Sequence, residues 1–379
     1  MEPIQIAFFG ATNSGKSTLV NLIAGQKVSL VSELPGTTTD PVRKRIELPG
    51  LGPCVLVDTA GYGDGGELGA ERERLSRKVI ESTDVAVLLR SGHPEDDAWR
   101  ARLEEAGVPV VAVQRGDFST RPSASVEMTL NRIAEALPKE EERYLTGDLV
   151  KGGDTVVLVM PQDSEAPKGR IILPQVQVLR ELLDRGCIPV CCTPERLPEA
   201  LAGLKAEPAL IITDSQAFKK VNESIPSSTP LTSFSVLLAA EKGDIKAFVE
   251  GAKAIERLKP GDRVLIAEAC THVPAGEDIG RVKIPAMLEA KISPLASLGR
   301  NDSGITIDIA AGNDFPEDLS PYALIIHCGA CVASRTVVRS RIKKALRAGV
   351  PITNYGIAIA ALQGILERVS IPRTPKQSS

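Results

Sequence analysis

The sequence predicts an α/β fold made of three domains with mainly parallel sheets. Near the N-terminus, the apolar run from Ile4 to Phe9 leads directly into a glycine-rich loop, and a helix is expected to begin near Ser17. From Thr155 onward, short apolar segments alternate with amphipathic helical segments, and a further alternation of this kind starts near Lys259. Short apolar strands between amphipathic helices are typical of parallel sheets that are covered on both faces.

The predicted elements divide the chain into domains at residues 1–147, 153–257 and 258–372, with Gly147, Gly152 and Gly153 as a linker. The first domain is expected to end in a charged helix from Met128 to Arg143. The predicted strands of the later domains are TVVLVMP, CIPVCC, ALIIT, VLIAEA, ITIDIA and YALIIH. The predicted helices there are 173–185, 197–204, 216–222, 334–348 and 354–369. The polar tail, residues 373–379, is expected to be disordered.

Composition limits the classes of function. The chain has 379 residues, a net charge of −3 and only 3% aromatic residues. A nucleic-acid partner is not expected, because phosphate binding needs a basic excess and base stacking needs aromatic side chains. The opening segment reads as a strand and not as a signal peptide, and no apolar run is long enough to span a membrane. We therefore expect a cytoplasmic protein with no membrane partner, whose seven cysteines are reduced thiols or metal ligands.

The first loop predicts a nucleotide-binding site. Its sequence, GATNSGKS from Gly10 to Ser17, fits the P-loop pattern between a strand and a helix. Backbone N–H groups of such a loop surround the phosphates, and the helix N-terminus favours their negative charge. Lys16 is expected to reach the β- and γ-phosphates, and Ser17 to bind Mg²⁺. The nucleotide-binding residues predicted in this loop are Gly10, Asn13, Ser14, Gly15, Lys16, Ser17 and Thr18.

Two further segments supply the other parts of such a site. The strand around Leu56 ends in Asp58, which is expected to hold Mg²⁺ through water, and Gly61 is expected to sense the γ-phosphate through its N–H group. The segment PGTTTD, residues 35–40, lies between them and is expected to form a mobile switch loop that offers a hydroxyl to Mg²⁺.

The C-terminal third predicts a metal site of cysteines and histidines. It contains Cys270 and His272, then 327 − 272 − 1 = 54 intervening residues, then His327, Cys328 and Cys331. Each group follows an apolar strand, so the site is expected at the carboxyl edge of a parallel sheet. These residues could bind a structural zinc through two cysteines and two histidines, or a 4Fe-4S cluster through three thiolates and a fourth ligand. A third possibility is that Cys328 and Cys331 form a redox pair like that of thioredoxin. Either histidine could instead support a ligand by hydrogen bonding.

Residues 1 to about 140 resemble the G domains of the TrmE–Era–EngA class. The resemblance implies that Thr38 is the switch threonine that binds magnesium and that Asp117 of Gln114-Arg115-Gly116-Asp117 recognises guanine. It places Ser123 and Ala124 in the last loop that contacts the base, and Asn13 where potassium-activated members bind K⁺. Tyr62 follows Gly61 where Ras-like proteins carry a water-positioning glutamine. The expected activity is slow, potassium-stimulated GTP hydrolysis, with Lys16, Thr38, Asp58 and Gly61 as catalytic groups.

A G domain of this class followed by CxH…HCxxC resembles the family of FeFe-hydrogenase maturation GTPases, over the whole chain. The resemblance implies a G domain, a central domain for homodimer formation or higher assembly, and a domain that binds a 4Fe-4S cluster. It also implies a scaffold or carrier that receives a di-iron precursor from two radical-SAM maturases and delivers it to apo FeFe-hydrogenase. The alternative is a potassium-dependent GTPase of RNA modification or ribosome assembly with a structural zinc.

Overall fold

The structure is a computed structural model that describes residues 3–25, 30–34, 41–63, 67–114, 116, 122–138, 144–161, 171–269, 278–296, 304–312, 314–331 and 333–373. The chain divides into two compact units, Met1–Glu141 and Glu142–Ser379. Within the described residues, no helix is both long enough and apolar enough to cross a membrane.

The first unit contains one mixed sheet with helices on both faces. Its elements are β1 (Ile4–Gly10), α1 (Lys16–Gly25), β2 (Leu30–Leu34), β3 (Val42–Leu48), β4 (Gly52–Asp58), α2 (Glu67–Ile80), β5 (Val85–Arg90), α3 (Asp96–Ala106), β6 (Val110–Gln114) and α4 (Pro122–Ala136). The strand order is β2-β3-β4-β1-β5-β6, in which β3 runs antiparallel to β2 and β4 and the other pairs are parallel. One apolar cluster lies on each face of this sheet.

The second unit contains two parallel sheets. The elements of the first are β7 (Thr155–Val159), α5 (Leu173–Asp184), β8 (Ile188–Cys192), α6 (Leu197–Ala202), β9 (Leu210–Thr213), α7 (Phe218–Glu223), β10 (Leu231–Ser233), α8 (Phe234–Lys242) and α9 (Ile245–Ala252). Those of the second are β11 (Arg263–Glu268), a π-helical turn (Ile279–Lys283), α10 (Ile284–Ala296), β12 (Thr306–Ala311), β13 (Leu324–His327), α11 (Arg335–Arg347), β14 (Ile352–Asn354) and α12 (Tyr355–Leu362). The strand orders are β10-β9-β7-β8 and β12-β11-β13-β14.

The two sheets of the second unit share one hydrophobic core. A continuous cluster of buried apolar side chains joins Val157 and Ile211 of one sheet to Ile266 and Ile326 of the other. The predicted α/β class with three sheets is confirmed, and residues 142–379 form one compact unit. The domain boundary predicted near residue 258 therefore lies between two sheets whose apolar side chains pack in the same hydrophobic core.

Two helix predictions differ from the structure. The last helix of the first unit begins at Pro122, whose fixed φ suits the first turn, and the described helix ends at Ala136 instead of extending to Arg143. The helix predicted to run to Val369 ends at Leu362, and Gly364 adopts a φ of +70° shortly afterward. A glycine with positive φ is a common stop for a helix, and here it lies within an apolar run that otherwise fits a longer helix.

Candidate functional site

The predicted P-loop joins β1 to α1 and forms a compact cradle. Asn13 has a φ of +60° and Gly15 a φ of +103°, so the chain turns sharply before the helix. The Lys16 side chain is buried, and its Nζ donates hydrogen bonds to the carbonyl oxygens of Gly10 and Ala11 at 2.8 and 3.0 Å. The buried Ser14 hydroxyl has no hydrogen-bond partner among the described residues. The loop therefore presents an amine and a hydroxyl that phosphate oxygens would satisfy.

Asp58 lies at the end of β4, beside the start of α1. The register of β1 and β4 pairs Phe8 with Asp58. The residue after Asp58, Thr59, donates a hydrogen bond from its Oγ1 to the Phe8 carbonyl oxygen at 2.6 Å. Burial raises the pKa of Asp58, while a hydrogen bond from Ser17 and the charge of Lys16 act in the opposite direction. Asp58 Oδ1 is buried without a hydrogen-bond partner in the described structure. This arrangement fits a carboxylate that a hydrated Mg²⁺ would stabilise.

The segment after Asp58 is held against the P-loop by backbone contacts. The Thr12 N–H donates to the Tyr62 carbonyl at 2.9 Å. A Cβ atom on Gly61 would lie 2.6 Å from the Cα atom of Thr12, so only glycine fits there. Tyr62 points away from the cradle, stacks on Trp99 with centroids 5.1 Å apart, and donates to Asp96 Oδ1 at 2.6 Å. Tyr62 is thus a structural anchor for this segment and does not take the place of the glutamine.

Two predicted nucleotide contacts, Thr38 and Asp117, lie outside the described residues. Gln114 ends β6, beside Arg90 of β5. Ser123 and Ala124 belong to the first turn of α4, and Ala124 is exposed. Their contact with the base stays a prediction, as does that of Asp117.

The predicted metal residues follow neighbouring strands of the last sheet. Strand β11 lies between β12 and β13, and the register pairs Ala267 with His327. The chain adds β12 on one side of β11 and then crosses to add β13 on the other side. In parallel sheets, ligands usually bind in the crevice at the carboxyl ends of the two strands where the strand order reverses in this way, here β11 and β13. Cys328 leaves β13 there, and its Sγ accepts a hydrogen bond from the Ala269 N–H at 3.1 Å. The segment with Cys270 and His272 lies outside the described residues, one residue beyond Ala269.

A buried lysine holds the turn from Cys328 to Cys331. Lys242, at the end of α8, donates from Nζ to the carbonyl oxygens of Ala330 at 3.0 Å and Ala333 at 2.8 Å. Ala330 has a φ of +52°, a left-handed conformation that costs a non-glycine residue on the order of 1 kcal/mol. Both cysteines of this turn are partly exposed. The turn therefore presents two thiols in a fixed backbone conformation.

His327 points into the protein. It is fully buried, its Nδ1 lies 2.8 Å from the Cys328 carbonyl oxygen, and its Nε2 lies 3.2 Å from Arg341 Nη1. Burial, with the Arg341 charge, lowers the pKa of His327 to about 4, so the ring is neutral. The Arg341 side chain can only donate, so the proton of the ring lies on Nδ1. Both ring nitrogens of His327 therefore already have hydrogen-bond partners within the protein. This arrangement suits a residue that supports the cysteine turn better than one that binds the metal directly.

Within the described residues, no three His, Cys, Asp or Glu side chains stand together as a metal site. Cys270 and His272 are not among these residues. The sulfur of Cys328 already accepts a backbone N–H, as a thiolate ligand would, and the buried cations Lys242 and Arg341 lie beside the turn. A negatively charged metal–thiolate centre fits these surroundings.

Sequence reasoning missed Lys242 and Arg341, which support the cysteine turn. Arg341 carries a recognisable signal, since it shares the buried stripe of α11 with Val338, Ile342 and Ala345. An arginine on an apolar helix face is unusual and indicates a buried polar contact. Lys242 carries none, because lysine is common at helix C-termini for its charge alone.

Comparisons with known proteins divide the chain in the same order. Residues 5–115 match the domain described as 50S ribosome-binding GTPase. Residues 145–243 match the hydrogen maturase F dimerization domain, and residues 246–372 match the hydrogen maturase F tetramerization domain. The first unit is thus a GTP-binding GTPase domain.

Similar proteins of known function cover only part of the chain. The tRNA modification GTPase MnmE of Nitrosomonas europaea is 38% identical over 135 residues, which are 34% of this chain and 29% of that protein. GTPase Der of Caldicellulosiruptor saccharolyticus is 34% identical over 145 residues, 36% of this chain and 33% of that protein. Among solved structures, Era of Aquifex aeolicus is 16% identical to this chain, with a TM-score of 0.27. The match covers 82% of this chain and 94% of the Era chain. The chain thus matches a third or less of the length of these curated relatives.

Proposed function

The chain belongs to the hydrogen maturase F family, and we propose that it is a GTPase and iron–sulfur scaffold that carries a di-iron precursor to apo FeFe-hydrogenase. The observation that carries this proposal is the pair of partly exposed cysteines, Cys328 and Cys331, at the carboxyl edge where β11 and β13 meet. In the sequence, Cys270 comes two residues after the end of β11, and we propose that its thiolate joins those of Cys328 and Cys331 at one centre.

The nucleotide half of the proposal rests on the P-loop cradle. Lys16 Nζ bonds to the carbonyl oxygens of Gly10 and Ala11 in the loop, and we propose that it exchanges these partners for β- and γ-phosphate oxygens when nucleotide binds. Ser17 and Thr38 would bind Mg²⁺ directly, and Asp58 would hold it through water. The backbone N–H of Gly61 would respond to the γ-phosphate, and Asn13 would bind K⁺. We propose slow hydrolysis, because the side chain that follows Gly61 is packed on Trp99 and cannot position water.

The cluster half rests on the thiol turn and its surroundings. Cys270, Cys328 and Cys331 would hold a 4Fe-4S cluster together with a fourth ligand. His272 stays a candidate ligand, whereas His327 would act by orienting Cys328 through its carbonyl group. When bound, such a cluster supplies one iron with an exchangeable ligand, to which a di-iron unit could attach.

The exposed edge of the central sheet supports the proposal that copies of this chain assemble with one another. Strand β8 lies at its edge and pairs with β7 alone among the described strands. Apolar side chains are exposed on this strand and on α5 beside it, including Ile188 and Leu183. An exposed apolar edge favours pairing with a second chain, so we propose a homodimer or a higher homo-oligomer in a reducing cytoplasm.

The experiment that tests the carrier role is activation of purified apo FeFe-hydrogenase. The chain is loaded by the two radical-SAM maturases, repurified anaerobically and mixed with the apoenzyme, with hydrogen production as the readout. The loaded wild type is expected to restore activity, and Cys331→Ser to fail. Cys191→Ser is the matched control, because Cys191 is an exposed thiol on β8 and is expected to be dispensable. Equal activation by wild type and Cys331→Ser would refute the carrier role.

A further inference from the structure

Tyr355 has a buried hydroxyl group without a partner. It is the first residue of α12 and directly follows β14. Its Oη is inaccessible to solvent and has no hydrogen-bond partner in the described structure. A buried hydroxyl that makes no hydrogen bond is costly, so its retention calls for a partner that binds later.

This hydroxyl lies at the proposed cluster site. The register of β13 and β14 pairs His327 with Asn354, so the next residues, Cys328 and Tyr355, leave the sheet side by side at its carboxyl edge. The π-helical turn approaches the phenol at Gly280. A Cβ atom on Gly280 would lie 1.9 Å from Tyr355 Oη and 3.3 Å from Glu268 Oε1. Glycine at this position therefore allows the backbone to approach the phenol.

Three of the four nearby carboxylate oxygens already accept hydrogen bonds, and the fourth, Asp278 Oδ2, forms an ion pair with Arg281 at 3.5 Å without accepting a hydrogen bond from a described residue. The two oxygens of Glu268 accept from Arg281 at 3.2 and 2.7 Å. Asp278 Oδ1 accepts the N–H groups of Gly280 and Arg281 at 2.7 and 3.1 Å. A phenol is protonated at neutral pH, so the Tyr355 hydroxyl is a hydrogen-bond donor.

We propose that the Tyr355 hydroxyl donates a hydrogen bond to a sulfur of the cluster that Cys328 helps to hold, and thereby raises the reduction potential of that cluster. The inference rests on the proposed function, since it needs an iron–sulfur cluster at this site. Reduction adds negative charge to the sulfurs, so a donor aimed at them stabilises the reduced state more than the oxidised one.

The test compares Tyr355→Phe with the wild type as anaerobically reconstituted full-length proteins. The matched control is Tyr322→Phe, because Tyr322 precedes β13 at the opposite edge of the same sheet and bonds to Asp308. Iron and sulfide contents establish the cluster, and an EPR-monitored redox titration gives the midpoint potential. We expect Tyr355→Phe to keep its iron and sulfide but to titrate at a more negative potential, while Tyr322→Phe matches the wild type.

Two further readouts separate this role from a purely structural one. Pulsed ENDOR of the reduced cluster after exchange into D₂O should lose one exchangeable-hydrogen coupling in Tyr355→Phe. The apo form of Tyr355→Phe should melt at or above the wild-type temperature, since removing an unpartnered hydroxyl breaks no bond. An unchanged potential with an unchanged coupling would overturn the inference alone. Zinc without sulfide in the wild type would overturn the proposed function and the inference with it.

Discussion

At the scale of single residues, both candidate sites depend on backbone conformations that few side chains permit. Asn13 and Ala330 are the non-glycine residues with positive φ in the described structure, and one lies in each site. Asparagine tolerates this conformation better than most residues, whereas alanine gains nothing from it. The strain at Ala330 is offset by the Lys242 hydrogen bond to its carbonyl oxygen.

Asn13 allows a direct test of potassium binding. Asn13→Gly removes the carboxamide while keeping a φ near +60° accessible, so backbone strain does not confuse the result. We expect the ratio of GTP hydrolysis rates in KCl and NaCl of equal ionic strength to fall to about 1 in Asn13→Gly. GTP affinity, measured by fluorescence with a labelled nucleotide, should stay within about threefold. A full potassium effect in Asn13→Gly would show that the amide is not the ligand.

Cys54 tests how burial controls thiol reactivity. Burial, with a smaller effect of Asp84, raises the pKa of Cys54 from 9.0 to about 11, so at pH 8 only about 0.1% is thiolate. Native Cys54 should therefore resist iodoacetamide at pH 8, while the exposed Cys191 reacts, as peptide mass spectrometry would report.

The same shift predicts the pH dependence of stability. A folded-state pKa above the unfolded value stabilises the fold below pH 9.0, and this contribution is lost as the pH rises toward about 11. Cys54→Ala should therefore show a smaller loss of unfolding free energy between these pH values than the wild type. Equal alkylation of Cys54 and Cys191 in the native protein would contradict this account.

At the scale of elements, helix α8 connects the central sheet to the cysteine turn. Its last residue, Lys242, binds carbonyl oxygens of the turn, and Glu241 forms an ion pair with Arg335 at the start of α11. Helix α8 thus follows a strand of the central sheet but supports the cysteine turn at the edge of the last sheet.

Lys242→Met should loosen the turn while keeping the aliphatic part of the side chain. It leaves buried carbonyl oxygens unpaired, so we expect the unfolding free energy to fall by about 1–3 kcal/mol in a denaturant titration. Reconstituted Lys242→Met should also bind less iron per chain than the wild type. The matched control is Lys246→Met on α9, where the side chain is exposed. Normal iron content and stability in Lys242→Met would contradict a supporting role.

The elements also show what the sequence could predict. Local patterns identified β1, the P-loop and α1, because the motif requires a strand and a helix around it. The apolar strands before each cysteine group predicted a site at a sheet edge, and β11 and β13 are neighbours there. The residues that support the cysteine turn could not be predicted from local sequence, because their contacts join distant parts of the chain. Lys242, for example, lies 88 positions from its acceptor Ala330. The antiparallel strand β3 was also missed, since charged residues obscure its alternation.

At the scale of the whole molecule, the edge of the central sheet is the expected surface for assembly. Ile188 on β8 is 56% exposed, and a charged residue there should block the pairing of edge strands. We expect Ile188→Lys to weaken the dimer at least ~10-fold in sedimentation analysis.

Met128→Lys is the matched control, because Met128 is a 44% exposed apolar residue on α4, outside the matched dimerization domain. It should assemble as the wild type does. Unchanged assembly of Ile188→Lys would move the interface away from this edge.

The central claim is that one chain joins a GTPase domain to an iron–sulfur scaffold. The most direct measurement is the iron, zinc and acid-labile sulfide content of anaerobically reconstituted protein, with EPR of the reduced state. We expect about four iron and four sulfide per chain, with a reduced-cluster signal that Cys328→Ser loses and Cys191→Ser keeps. Stoichiometric zinc without sulfide would contradict it and leave a GTPase with a structural metal.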